Sequence, residues 1–167
     1  SVSIGDTPSC RTLTDFLGVD EIRPGNFVFY DLEQWQLGVC QPEEIAVAVA
    51  CPIVSRSEVR HQLVIYGGAI HFSKEMLLYA NKPVYGMLID ESQDDFGQLK
   101  KDCVLTSLTQ EHGVLTMDAD SFAHYRIGEV VQIMPVHACL AAQALGEYTE
   151  VHTGEHIMTM VTKKGMA

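Results

Sequence analysis

The two side chains with the most chemical potential in this chain are His137 and Cys139, two positions apart in the run Ile-Met-Pro-Val-His-Ala-Cys-Leu. They stand where a strongly apolar, strand-like segment, 127–134, stops at Pro135. Alternate residues of an extended chain point the same way, so an imidazole and a thiol at this spacing reach one soft or borderline metal ion. Two donors do not close a tetrahedral zinc site, and the rest must come from elsewhere. The plainer reading makes Cys139 a small buried hydrophobe and His137 a surface or capped residue. Spacing by itself favours that plainer reading.

The rest of the composition narrows the function classes. A chain of 167 residues with 47% apolar side chains can build one ordinary core without disulfides. Its formal charge of −11 argues against a nucleic-acid partner, because phosphate contacts need clustered cations. The basic pairs Lys100-Lys101 and Lys163-Lys164 lack the interleaved aromatics of a stacking groove. Cys10, Cys40, Cys51, Cys103 and Cys139 are irregularly spaced, as expected of reduced thiols in a cytoplasmic protein. The longest apolar stretch, 45–54, is about half a membrane span, so no membrane partner is expected. A chain that opens on Ser1, inside a strand-like run, is expected to be cut from something longer.

The elements that must position these residues read mostly as strand and turn. Phe27, Phe29 and Asp31 alternate with Val28 and Tyr30, which predicts a half-buried strand after the Pro24-Gly25 turn. Further strands are predicted over 45–54, 63–66, 84–89, 103–108, 114–117, 127–134 and 157–161, with Pro52 bending the first or placing it at an edge. Short helices are predicted over 12–17, 73–80 and 139–145, and a solvated acidic loop over 90–97. So many short strands predict a mostly β chain, an antiparallel barrel or sandwich with a few short helices.

Several segments in order resemble the carboxyl-terminal part of the D-serine dehydratase and D-threonine aldolase family, pyridoxal-phosphate (PLP) enzymes of the alanine racemase fold type, fold type III. They are Ile4-Gly5-Asp6-Thr7-Pro8-Ser9, the stretch from Glu21 to Asp31 with Gln34, Gly67 to Glu75, Gln110-Glu111-His112-Gly113, Ile127-Gly128-Glu129-Val130, and Pro135 to Cys139. The resemblance implies a two-domain enzyme. In it, residues 1–18 would be the last strand and turn of a missing amino-terminal α/β barrel that carries most of the PLP site. Residues 19–167 would be a carboxyl-terminal, antiparallel β-barrel-like domain, inactive by itself.

It also implies roles. Gly5 and Thr7 would lie beside the cofactor phosphate, where such barrels bind phosphate on backbone amides; the plain alternative is a tight turn into a capped helix. Tyr30 would be an active-site tyrosine supplied across a homodimer, acting as acid or base at the substrate α-carbon; the alternative is an ordinary strand tyrosine. His137 and Cys139 would be the metal pair, and thiolate with imidazole favours zinc (Zn) over magnesium or manganese. His112 would support a ligand or the cofactor. Tyr66 and His71 depart from the family pattern.

The activity so implied is a lyase reaction on a small-molecule D-3-hydroxy amino acid, a β-elimination of water like that of D-serine dehydratase. Carbon–carbon cleavage like that of D-threonine aldolase, or racemisation, is the alternative. Outside enzymes, a freestanding metal- or ligand-binding β-barrel or an oligomerisation domain remains open.

Overall fold

The computed structural model describes residues 1–90 and 96–158. Among the described residues there are twelve strands: β1 (Ser3–Ile4), β2 (Glu21–Ile22), β3 (Val49–Ser57), β4 (Gln62–Tyr66), β5 (Leu77–Tyr79), β6 (Lys82–Val84), β7 (Gly86–Asp90), β8 (Gln98–Leu108), β9 (His112–Thr116), β10 (Val130–Pro135), β11 (Glu147–Thr149) and β12 (His156–Met158). The α-helices are short: α1 (Thr7–Thr12), α2 (Leu32–Gln36), α3 (Ala69–Phe72), α4 (Ala119–Phe122) and α5 (Ala138–Leu145). Strands β10, β3, β4, β9, β8 and β7 close in that order into a barrel whose neighbours are all antiparallel. Closure leaves this sheet no unpaired edge.

Alternation explains the interior. Val49, Cys51 and Ile53 of β3, Leu63 and Ile65 of β4, Leu105 of β8, Leu115 of β9, and Val131 and Ile133 of β10 all point into one buried cluster. Strand β7 is buried on both faces: Leu88 joins that interior, while Met87 and Ile89 join a second cluster with Leu32, Cys40, Ile45 and Met134. The second cluster is the packing of α2 and the β5–β6 hairpin against the outside of the barrel. Register shifts between Ile53 and Ser55, Met87 and Ile89, and Leu105 and Ser107 supply the bulges that let so few strands curl shut. Strand β3 runs through Pro52 without becoming an edge: it pairs with β10 up to Pro52, and Ile53 N then donates to Glu129 O at 2.8 Å while Ile53 O accepts from Gly128 N at 2.9 Å. Helices α3 and α5 follow the ends of β4 and β10 and pack on each other over one end of the barrel, with Phe72 and Ala141 reaching into its core.

The expectation of a mostly β, antiparallel barrel is borne out, and several local expectations are corrected. Residues 27–31 are not a strand. Asn26–Val28 form a single 3-10 turn, Tyr30 takes a left-handed φ of 50°, and Asp31 caps α2. Alternation there was misleading because Asn26 and Asp31 hydrogen-bond each other and nearby backbone, which competes with strand pairing. The first helix is α1, ending where one was expected to begin, because the Asp6 carboxylate accepts from Ser9 N and starts it early. No helix spans 73–80: α3 ends at Phe72, and β5 follows as one arm of a hairpin. The 84–89 strand is divided at Tyr85 between β6 and β7. Residues 91–95 of the expected loop and 159–161 of the last expected strand lie outside the described residues.

Candidate metal centre at the barrel end

His137 and Cys139 do not lie on one extended segment. His137 is the N-cap of α5 and Cys139 sits in its first turn, because Pro135 ends the strand pairing and the run Ala-Cys-Leu-Ala-Ala-Gln-Ala-Leu has strong helix formers. Ala138, Ala141 and Ala142 form the buried face of that helix, small enough to lie close against the barrel end.

Asp31 fixes the start of α5. Its carboxylate has no exposed surface and accepts from three donors: Asn26 Nδ2, Gln34 N at 2.9 Å, and Ala138 N at 2.9 Å. One buried charge therefore starts α2 and also holds the amide lying between His137 and Cys139. A backbone bond from Glu33 N to Val136 O, 3.2 Å, ties the same two segments. The alternation placed Asp31 in a strand; its spacing before Gln34 was the available signal for a helix cap.

Around His137 two carboxylates gather. Glu75 Oε2 lies 2.6 Å from His137 Nδ1 and Glu33 Oε2 lies 3.8 Å from it. Among the described residues, Glu33, Glu75 and His137 bring one donor atom each within 4.8 Å of one another, a group that Cys139 does not join. Imidazole and carboxylates are donors suited to a divalent ion; the half-buried Cys139 thiol lies in the adjacent turn, outside that group. Burial first, then the charge of Asp31, pushes the Cys139 thiol above its ordinary range, and burial likewise raises Tyr148 nearby.

The other expected site residues are placed differently. Gly5 approaches Arg23, whose carbonyl oxygen would be 3.1 Å from an added Cβ. Thr7 is buried as the first residue of α1, Pro8 has no amide hydrogen, and Ser9 N already bonds to Asp6. The Asp6 carboxylate caps this helix start through Ser9 N, next to Gly5 and Thr7. Tyr30 packs against the second cluster with its ring edge-on to Phe27, centroids 6.0 Å apart. At the end of β4, Tyr66 stands between two imidazoles, 5.2 Å from His71 and 5.8 Å from His112. His71 Nδ1 accepts from Gly68 N at 3.1 Å, so it serves the start of α3.

A closed antiparallel barrel whose end carries a histidine, two carboxylates and a neighbouring thiol defines a β-domain with the makings of a divalent-metal centre. The chain belongs to the family described as "Putative serine dehydratase domain", whose model matches residues 46–151. That span includes Glu75, His137 and Cys139 and leaves out Tyr30, Asp31 and Glu33. D-serine dehydratase of Dictyostelium discoideum is 32% identical over 95% of this chain and 41% of its own length. D-threo-3-hydroxyaspartate dehydratase of Delftia sp. is 29% identical over 93% of this chain and 43% of its own length. The chain thus spans about two fifths of the length of each of these two dehydratases.

The architecture agrees with an alanine racemase-like protein of Idiomarina loihiensis (TM-score 0.79, 27% identical, 93% of this chain and 42% of that one). It agrees equally with a cysteine-to-alanine mutant of D-threo-3-hydroxyaspartate dehydratase described as metal-free (TM-score 0.80, 26% identical, 93% and 42% covered). A histidine-to-alanine mutant of that enzyme, altered two positions before the cysteine, has also been solved (TM-score 0.77, 27% identical, 88% and 39% covered). The expected family and alanine racemase-like fold are borne out.

Proposed function

We propose that this chain is the β-domain of a metal- and pyridoxal-phosphate-dependent lyase that removes water from a D-3-hydroxy amino acid. The observation that carries the reading is the placement of His137 and Cys139 at the start of α5, over the barrel end, with Asp31 holding the amide between them. A histidine and a cysteine at the same spacing are the residues replaced in the solved dehydratase mutants, one of them in a metal-free form. His137 and Cys139 would hold the ion, with Glu33 and Glu75 beside them. When bound, zinc would supply a Lewis acid for a departing hydroxyl group. Asp31 and the α2–α5 junction keep the two ligands at a fixed separation, and the flanking carboxylates offset the ion's charge.

Pyridoxal phosphate would supply stabilisation of negative charge at the substrate α-carbon. Most of its binding site would belong to an upstream domain, with Gly5 and Thr7 beside the cofactor phosphate. Residues 1–18 would be the end of such a domain and 19–167 the β-domain; the parallel pairing of β1 with β2, separate from the antiparallel barrel, would then join the two parts. The exposed side chains of Leu17, Ile22, Phe27 and Val28 support a covering partner domain or a homodimer in which Tyr30 reaches a neighbouring site. A cytoplasmic location fits the free cysteines, and no helix among the described residues is long and apolar enough to cross a membrane.

The test is zinc analysis and a substrate assay on the natural gene product that contains this chain. Stoichiometric zinc that is lost in Cys139→Ser, with ammonia and a 2-oxo acid formed from D-serine or D-threo-3-hydroxyaspartate, is the expected result. Glycine and an aldehyde from D-threonine would move the assignment to carbon–carbon cleavage. Unchanged zinc in Cys139→Ser would remove the thiol from the site.

A further inference from the structure

We propose that Glu75 is a positioning residue that keeps the His137 proton on Nδ1, so that Nε2 is the nitrogen offered to the metal; this rests on the reading of His137 as a ligand. Glu75 Oε2 is 2.6 Å from His137 Nδ1. Two donors on one zinc ion at tetrahedral angles, with bonds of about 2.0–2.1 Å, stand about 3.3 Å apart. The contact is therefore a hydrogen bond rather than the gap between two ligands of one ion. A carboxylate oxygen accepts in such a contact, so the geometry places the hydrogen on Nδ1 and leaves Nε2 as the ring nitrogen turned away from Glu75. Glu33 Oε2, 3.8 Å from the same nitrogen, lies beyond hydrogen-bond reach and adds negative charge on that side of the ring. Both carboxylates thereby make His137 a better donor through its far nitrogen.

Local structure delivers this carboxylate. Ser73, just after α3, takes a left-handed φ of 72°, and its Oγ accepts from Glu75 N at 3.1 Å. Such a backbone is unfavourable for a residue with a side chain and turns the chain sharply out of α3. Helix α3 packs on α5, the helix that His137 caps. The Ser73-Lys74-Glu75 segment, one of those that carried the family resemblance, thus acquires a physical role: its turn decides where the carboxylate falls.

Nitrogen NMR of the histidine rings in the metal-free full chain, at a pH above the ordinary histidine range, reads the tautomer directly. A zinc titration against a competing chelator reads the affinity. Wild-type His137 should carry its proton on Nδ1. Glu75→Ala should shift the proton toward Nε2 and weaken zinc about 10–100-fold. Glu75→Gln, whose amide oxygen still accepts, should retain the Nδ1 proton and recover most of the affinity. A wild-type proton on Nε2, or a tautomer unmoved by Glu75→Ala, would overturn the proposal. Nδ1 protonation in a wild-type chain that takes up no zinc would sink the metal reading and leave the orienting role of Glu75 standing.

Discussion

A carboxylate with no exposed surface persists only where donors surround it, and Asp31 has three, drawn from the 3-10 turn, from α2 and from α5. Asp31→Ala would leave these donors buried and unpaired and remove the α2 cap. We expect a loss of about 2–5 kcal/mol in urea unfolding, with weakened zinc binding because the amide between His137 and Cys139 is released. Asp31→Asn, which keeps one acceptor oxygen, should lose about half as much. An unchanged unfolding midpoint for Asp31→Ala would show that the junction is held by packing instead. Little of this was legible in the sequence: an aspartate after an aromatic run looks the same whether it ends a strand or caps a helix, and only a partner 107 positions away reveals its burden.

Among the elements, the Gly67-Gly68 pair shows how a loop constrains the site. A Cβ on Gly68 would meet Gln110 O and the Glu111 carbonyl carbon at 2.5 Å, both backbone atoms that cannot swing aside. Ala69 N and Ile70 N bond to the same loop, at Thr109 O and Gln110 O. Gly68→Ala should therefore cost about 1–3 kcal/mol and displace α3 together with Glu75. Gly25→Ala is the matched control, because a Cβ there meets nothing within 4 Å and should stay within about 0.5 kcal/mol. Equal thermal midpoints for the two variants would rule out the close approach. Strands β4, β8, β9 and β10 were legible because alternation and burial agree. The expected 73–80 helix failed because Ser73 turns the chain and Leu77–Tyr79 finds a hairpin partner in β6, which no local pattern announces.

At the scale of the molecule, the core holds its thiols as neutral groups. Burial pushes Cys51 up from 9.0 to about 12, and burial, then Glu44 and Asp31, pushes Cys40 up to about 11. Above pH of about 9 an unfolded chain releases thiol protons that the folded chain retains, so ionisation favours unfolding. Stability should be level with respect to these groups below that pH and should fall above it, by up to about 1.4 kcal/mol per pH unit per thiol. The fall from Cys40 ends near pH 11 and that from Cys51 near pH 12. Urea midpoints measured across this range should decline less steeply in a Cys40→Ala, Cys51→Ala double variant. A slope shared with wild type would assign the alkaline loss to other groups.

What the sequence by itself determined is the kind of chain this is: a mostly β, acidic domain with short strands, a family resemblance in ordered segments, and a histidine and cysteine close enough to share an ion. Those properties follow from composition, period-2 alternation and residue identity, all of which are local. Tertiary structure alone decided that α5 begins at His137, that Asp31 fixes its start from far back in the chain, and that Glu33 and Glu75 face the imidazole. Each of these depends on where barrel closure brings distant segments together, and pairing across such distances leaves no mark in any short stretch of residues.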